Sequence, residues 1–249
     1  MQTILGYMRR AIQEYDLIQS GDHICIGISG GKDSVALLCG LARLRRFFER
    51  PYSLYAVTLD PCFSRIQTDY SPIQALCEKL EVPYVIKRTE IGEIVFDTRQ
   101  ESNPCSLCAR MRRGLLHDTA KSLGCNVIAL GHHYNDAIET FMMNLFYEGR
   151  VGCFSPVTYL DRTDITVLRP LVYAPEKDIE YFARHTELPV IKSSCPANKK
   201  TEREEMKKLL SEIEKDNKGL RHRIFGAMQR GHISGFKESK IKNYDDENA

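Results

Sequence analysis

The chain has 249 residues, 43% hydrophobic and 27% charged, enough for one sizeable α/β domain of ordinary globular composition. A net charge of +2 excludes a strongly basic field, so any nucleic-acid contact must come from local basic patches. No apolar run approaches the roughly 18 residues of a bilayer span, and the N-terminal stretch, with Glu14 and Asp16, lacks the apolar core of a signal peptide, so the expectation is a cytoplasmic protein without a membrane partner.

Residues 1–20 read as a helix packed on the core, with Ile4, Met8, Ala11, Ile12 and Tyr15 on one face. His23 to Ser29 is short, apolar and rich in β-branched residues, the pattern of a buried strand. Helical periodicity follows from Val35 to Phe48, then a strand over Tyr52–Leu59, a helix over Ile73–Leu80 and a strand over Tyr84–Lys87. Arg110–Leu123 predicts a helix, Asn126–Leu130 a strand, Asp136–Tyr147 a helix and Thr166–Leu171 one more strand. Alternating strands and helices with long crossovers imply a doubly wound parallel sheet, with ligands at the carboxyl ends of its strands. Beyond it Glu176–His185, Glu202–Lys215 and Arg221–Arg230 read as helices. The division expected is a core domain over 21–195, a helical extension over 196–236 and a frayed charged tail over 237–249.

Between the first strand and its helix lies SGGKDS, Ser29 to Ser34. Amides at a helix N-terminus favour anions. Gly30 and Gly31 allow a tight turn, Ser29 and Ser34 offer hydroxyls, Lys32 offers charge, and Asp33 is a candidate Mg²⁺ ligand. The string is not a Walker A loop, because Asp33 and not Ser or Thr follows the lysine. It resembles the PP-loop of the ATP pyrophosphatases, which cleave ATP between its α- and β-phosphates. Gly131-His-His-Tyr-Asn-Asp136, directly after the fourth strand, is similar to the GHxxxD segment that these enzymes hold near ATP. The resemblance implies ATP contacts for Gly131 and a catalytic or Mg²⁺-binding role for Asp136, beside Lys32. Helix capping by Asn135 or Asp136 is the plainer reading and is compatible with that role.

Nine cysteines in a reducing compartment do not imply a disulfide framework. Cys25, Cys39, Cys77 and Cys125 fall in apolar or amphipathic segments and read as buried thiols. Cys105 and Cys108 form a Cys-X-X-Cys pair followed by Arg110, Arg112 and Arg113, and Cys195 stands alone in a later loop. By itself the pair could be redox-active, half a zinc site or part of a cluster. The neighbouring arginines and a helix N-terminus would lower its thiol pKa values. The order SGGKDS, PCSLCARMRRG, ALGHHYNDAIET, LRPL and a single late cysteine is similar to the tRNA 2-thiocytidine synthetase family over roughly residues 1 to 230. That resemblance implies a 4Fe–4S cluster on Cys105, Cys108 and Cys195 with one iron left without a protein ligand. It also implies ATP and Mg²⁺, tRNA as substrate, adenylation of a base (cytidine in the anticodon loop), and a cysteine desulfurase as sulfur donor. Candidate tRNA contacts are Arg110, Arg112 and Arg113, with Lys199, Lys200, Arg203, Arg221, Arg223 and Arg230 behind them. Homodimerisation is left open. The competing readings are a lysine-attaching PP-loop tRNA enzyme without sulfur chemistry, a reductase resembling adenylyl-sulfate reductases, and a zinc-stabilised RNA-binding module that adds His132 to the three cysteines.

Overall fold

The computed structural model describes residues 1–99, 104–192, 194–197 and 201–238; Lys199, Lys200 and most of the expected tail lie outside them. The elements run α1 (Gln2–Tyr15), β1 (His23–Gly27), α2 (Lys32–Leu44), β2 (Ser53–Asp60), α3 (Ser71–Lys79) and β3 (Tyr84–Arg88). There follow α4 (Ile91–Glu93), which continues into a π-helical turn at Ile94–Thr98, then α5 (Pro104–Ser122), β4 (Val127–Ala129) and α6 (Tyr134–Tyr147). The rest is β5 (Val157–Leu160), β6 (Ile165–Leu168), α7 (Glu176–His185), α8 (Glu202–Asp216) and α9 (Leu220–Arg230).

The strands form one sheet in the order β3-β2-β1-β4-β6-β5, parallel except for the antiparallel β5–β6 pair at one edge. The strand alternation sorts side chains between the two faces. Ile24, Ile26, Leu54, Ala56, Val127 and Ala129 enter the larger core, while Cys25, Val57, Leu59 and Ile128 enter a smaller one. On the larger side α2 is buried almost all round, because α1 and α7 cover it, the condition under which a helix can be apolar on every face. The smaller side is covered by α5, of which only Thr119 and Ala120 are fully buried, so its N-terminal half stands out at the carboxyl ends of the strands. Met206 and Leu210 of α8 and Phe225 and Met228 of α9 are buried in the larger core.

Two local expectations are corrected. The helix expected from Arg110 starts at Pro104, so Cys105 and Cys108 lie in its first turn and not in a preceding loop. The edge strand β5 was absent from the sequence reading, because Asp161 to Asp164 reads as a polar break and the residues before it carry no long apolar run. No helix among the described residues is long and apolar enough to cross a membrane.

Candidate active site

The chain reverses its direction of winding between β1 and β4, and at their carboxyl ends, where such a sheet opens a crevice, lies a cavity of about 400 Å³. Ser29, Asp33 and Ser34 form one wall, Gly131, His132 and Asp136 a second, and Arg112, Arg113 and His117 of α5 a third. A larger cavity of about 620 Å³ opens between α1, α7, α8 and α9, beyond Glu176; of the site residues expected from the sequence it is lined by Arg221, a candidate tRNA contact, and by none of the ATP or cluster residues.

The phosphate loop is built by its own hydroxyls. Ser34 Oγ accepts from the Ser29 amide at 3.2 Å and donates to the Gly31 carbonyl at 3.0 Å, and Ser29 Oγ accepts from the Gly31 amide at 3.3 Å. Gly31 is the N-cap of α2 without a side-chain cap, so the first-turn amides keep their hydrogen-bonding capacity for a ligand. Gly30 adopts φ +86°, a conformation that favours glycine, and its carbonyl accepts from the Ile191 amide at 2.9 Å. The segment leading to Cys195 is thus hung directly on the phosphate loop. Gly131 is required for a different reason. A Cβ there would lie 3.0 Å from the Asp33 carbonyl carbon and the Ser34 nitrogen, and backbone cannot step aside as a side chain can.

His133, 4% exposed, caps α6. Its Nδ1 accepts from the Asp136 amide at 3.3 Å, while Asp136 Oδ2 accepts from the His133 amide at 2.9 Å. A neutral His133 then carries its proton on Nε2, which faces Asp33 Oδ1 at 3.7 Å. Asp33 Oδ1 is buried without a hydrogen-bond partner of proper geometry, and burial holds the Asp33 pKa above the usual carboxylate range despite His133 and Lys32. A buried, under-satisfied carboxylate oxygen beside a second carboxylate fits a hard divalent cation with oxygen ligands. Asp136 lines the cavity and shares the cap of α6 with His133, while the capping expected of Asn135 goes elsewhere: Asn135 Oδ1 accepts from the Glu176 amide at the start of α7.

Lys32 does not line this cavity. Its ammonium lies between Asp33, at 3.3 Å, and Glu176 Oε1, at 3.0 Å. Burial alone would raise the Glu176 pKa, but Lys207 and Lys32 bring it down to about 2. Lys207 meets Glu176 Oε2 at 2.7 Å, and on the same helix Arg203 meets Asp136 Oδ1 at 3.3 Å and Glu139 Oε2 at 3.5 Å. Glu176, Lys207 and Glu139 were missed by sequence reasoning, and Arg203 entered it only as a possible RNA contact. His132 is pushed down to about 4, by burial first and by Arg169 next, so it is neutral near pH 7. Its ring lies 5.0 Å from that of Phe154, over which the Arg169 guanidinium also sits.

Of the expected tRNA contacts, Arg112 and Arg113 face into the cavity, whereas Arg110 is exposed and outside it. Of the three expected cluster cysteines, Cys195 lies near enough to Cys105 and Cys108 to act on both electrostatically. Both Cys105 and Cys108 have raised pKa values, from burial first and then, in different order, from Cys195 and their surroundings, with only Arg112 opposing at Cys108. The expected lowering is therefore reversed, because desolvation and thiolate repulsion outweigh the nearby guanidinium. A positively charged group held between such thiols would relieve that repulsion. Among the described residues no three His, Cys, Asp or Glu side chains are gathered around one ion position. None of the nine cysteines is in a disulfide.

A PP-loop domain family matches residues 6–213. The chain is 38% identical over 230 residues to a tRNA-cytidine(32) 2-sulfurtransferase of Geobacter sulfurreducens, covering 91% of this chain and 89% of that one. It is equally identical over 244 residues to the protein of the same name from Geotalea daltonii, covering 97% and 96%. Among solved structures it is similar to the U34-tRNA thiolase NcsA from Methanococcus maripaludis with its 4Fe–4S cluster, at TM-score 0.72 and 22% identity over 96% of this chain and 84% of that one.

Proposed function

Because this chain belongs to the PP-loop family and, within it, to the tRNA-cytidine(32) 2-sulfurtransferases, we propose that it uses ATP to exchange the 2-oxygen of cytidine 32 in tRNA for sulfur. The observation that carries this reading is the cavity: the phosphate loop forms one wall and α5, which bears Cys105 and Cys108 just ahead of its lining residues Ala109, Arg112 and Arg113, forms another. Activation and sulfur delivery can then act on one base without its leaving the site.

The α2 amides, Ser29 and Ser34 hold the β- and γ-phosphates, and Asp33 and Asp136 would hold Mg²⁺, which would supply positive charge for the pyrophosphate as it leaves. Arg112 and Arg113 give the far wall the positive charge that draws the target nucleotide inward. The cytosine 2-oxygen displaces pyrophosphate from the α-phosphorus, converting a poor leaving group into AMP. A sulfur nucleophile then adds at C2, and AMP departs with the old oxygen. Bound by Cys105, Cys108 and Cys195, a 4Fe–4S cluster would supply that sulfur at an iron without a protein ligand. A cysteine desulfurase is the fitting source of the sulfur, and tRNA as substrate implies work in the cytoplasm.

The test is ATP labelled at the α-phosphate. Label is expected transiently on tRNA when sulfide is withheld and in AMP once it is supplied, with pyrophosphate released only when tRNA is present. Accumulation of ADP, or pyrophosphate release indifferent to tRNA, would overturn the mechanism.

A further inference from the structure

The polar and charged side chains around the phosphate loop form a continuous chain of contacts. From Arg203 it passes to Asp136 (3.3 Å), to His133 (3.4 Å), to Asp33 (3.7 Å), to Lys32 (3.3 Å), to Glu176 (3.0 Å) and to Lys207 (2.7 Å). It begins and ends on α8, where Arg203 and Lys207 lie one turn apart on the same face. Both carboxylates proposed to hold Mg²⁺ are links in it. Asp136 is fixed at two points, Oδ2 by the His133 amide and Oδ1 by Arg203, while Arg203 is itself anchored to Thr140 Oγ1 at 2.9 Å. Asp33 is fixed by Lys32, which depends on Glu176 and so on Lys207. Partners of this kind set the orientation of metal ligands without touching the metal.

We infer that Arg203 and Lys207 are positioning residues: through Asp136 and Glu176 they orient the carboxylates that receive Mg²⁺–ATP, so that α8 sets the affinity of the phosphate site. The inference rests on the proposed assignment of Asp33 and Asp136 to Mg²⁺. It is tested on nucleotide binding without tRNA, so its failure leaves the thiolation reading standing, and failure of thiolation leaves it untouched.

Calorimetric titration with ATP, in Mg²⁺ and in EDTA, tests it. Arg203→Met should weaken binding in Mg²⁺ about 10–100-fold, the usual cost of losing such a partner, and leave binding in EDTA within about twofold. Arg203→Lys should fall between, and Lys207→Met should repeat the pattern through Glu176. In an Asp136→Asn background Arg203→Met should cause no further loss, since its action passes through that carboxylate. Equal losses with and without Mg²⁺ would mean that α8 only supports the fold. An undiminished loss in the Asp136→Asn background, or tighter Mg²⁺–ATP binding by Arg203→Met, would also overturn the inference, the latter by making Arg203 a competitor for Asp136.

Discussion

At the scale of single residues, Glu139 offers a measurement that is independent of ligands. It is 3% exposed and raised to about 7, by burial first and by Asp136 next, with Arg203 opposing. The folded pKa lies above the unfolded value, so the native state holds the proton more tightly. The contribution of Glu139 to stability is then greatest below about pH 4.5, falls as pH rises toward 7 and levels beyond it, by at most about 3 kcal/mol for a shift of this size. Glu139→Gln keeps the shape and removes the titration. Denaturant unfolding at several pH values should show a flatter profile for the variant and greater stability than the parent at pH 8. This residue was invisible in the sequence, as were Glu176 and Lys207, because their partners are set by the fold: Lys32 and Glu176 are 144 positions apart, Arg203 and Asp136 67. The phosphate loop was legible because its chemistry is local: its hydroxyls, glycines and amides act within six consecutive residues.

Elements that were predictable are those whose apolar period is long and uninterrupted, such as α2, α6 and the alternating strands. The start of α5 was not, since Pro104 and a Cys-Ser-Leu-Cys turn look like loop until Pro is read as the first residue of a helix, a position it favours. The corrected start matters chemically. Placing Cys105 and Cys108 at i and i+3 of a helix puts both thiols on one helix face, and Cys195, after α7, acts on both electrostatically. If the three form the cluster site proposed above, Cys195→Ala should lose iron as fully as Cys105→Ala, although it stands far from the pair in sequence. Iron and acid-labile sulfide in anaerobically prepared protein measure this, with about four irons per parent chain and the circular dichroism of the variants unchanged.

Across the whole molecule, the first helix and the last described residues close on one another. Tyr173 donates to Glu14 at 2.5 Å and accepts from the Tyr15 hydroxyl at 2.8 Å, which in turn accepts from the Lys237 amide at 3.3 Å. Phe236, fully buried, meets Tyr15 and Phe225 edge-on at 6.5 and 5.3 Å. Phe236→Ala should cost about 3–5 kcal/mol, the usual range for emptying a buried aromatic site. Tyr15 would lose a partner on the far side of the sequence, so thermal unfolding should remain a single transition at lower temperature.

The Ile191–Gly30 hydrogen bond also bears on timing. An adenylated base is exposed to hydrolysis for as long as sulfur is delayed, and each base lost to water wastes one ATP. Enzymes that must swing a domain between two half-reactions add that movement, on the microsecond to millisecond scale, to the wait. Here the segment leading to the third thiol is joined to the phosphate loop by the hydrogen bond from the Ile191 amide to the Gly30 carbonyl, so the two half-reactions would share one frame. On the proposed chemistry no domain movement then adds to the lifetime of the activated base, and ATP consumed should track sulfur inserted closely while sulfide is plentiful.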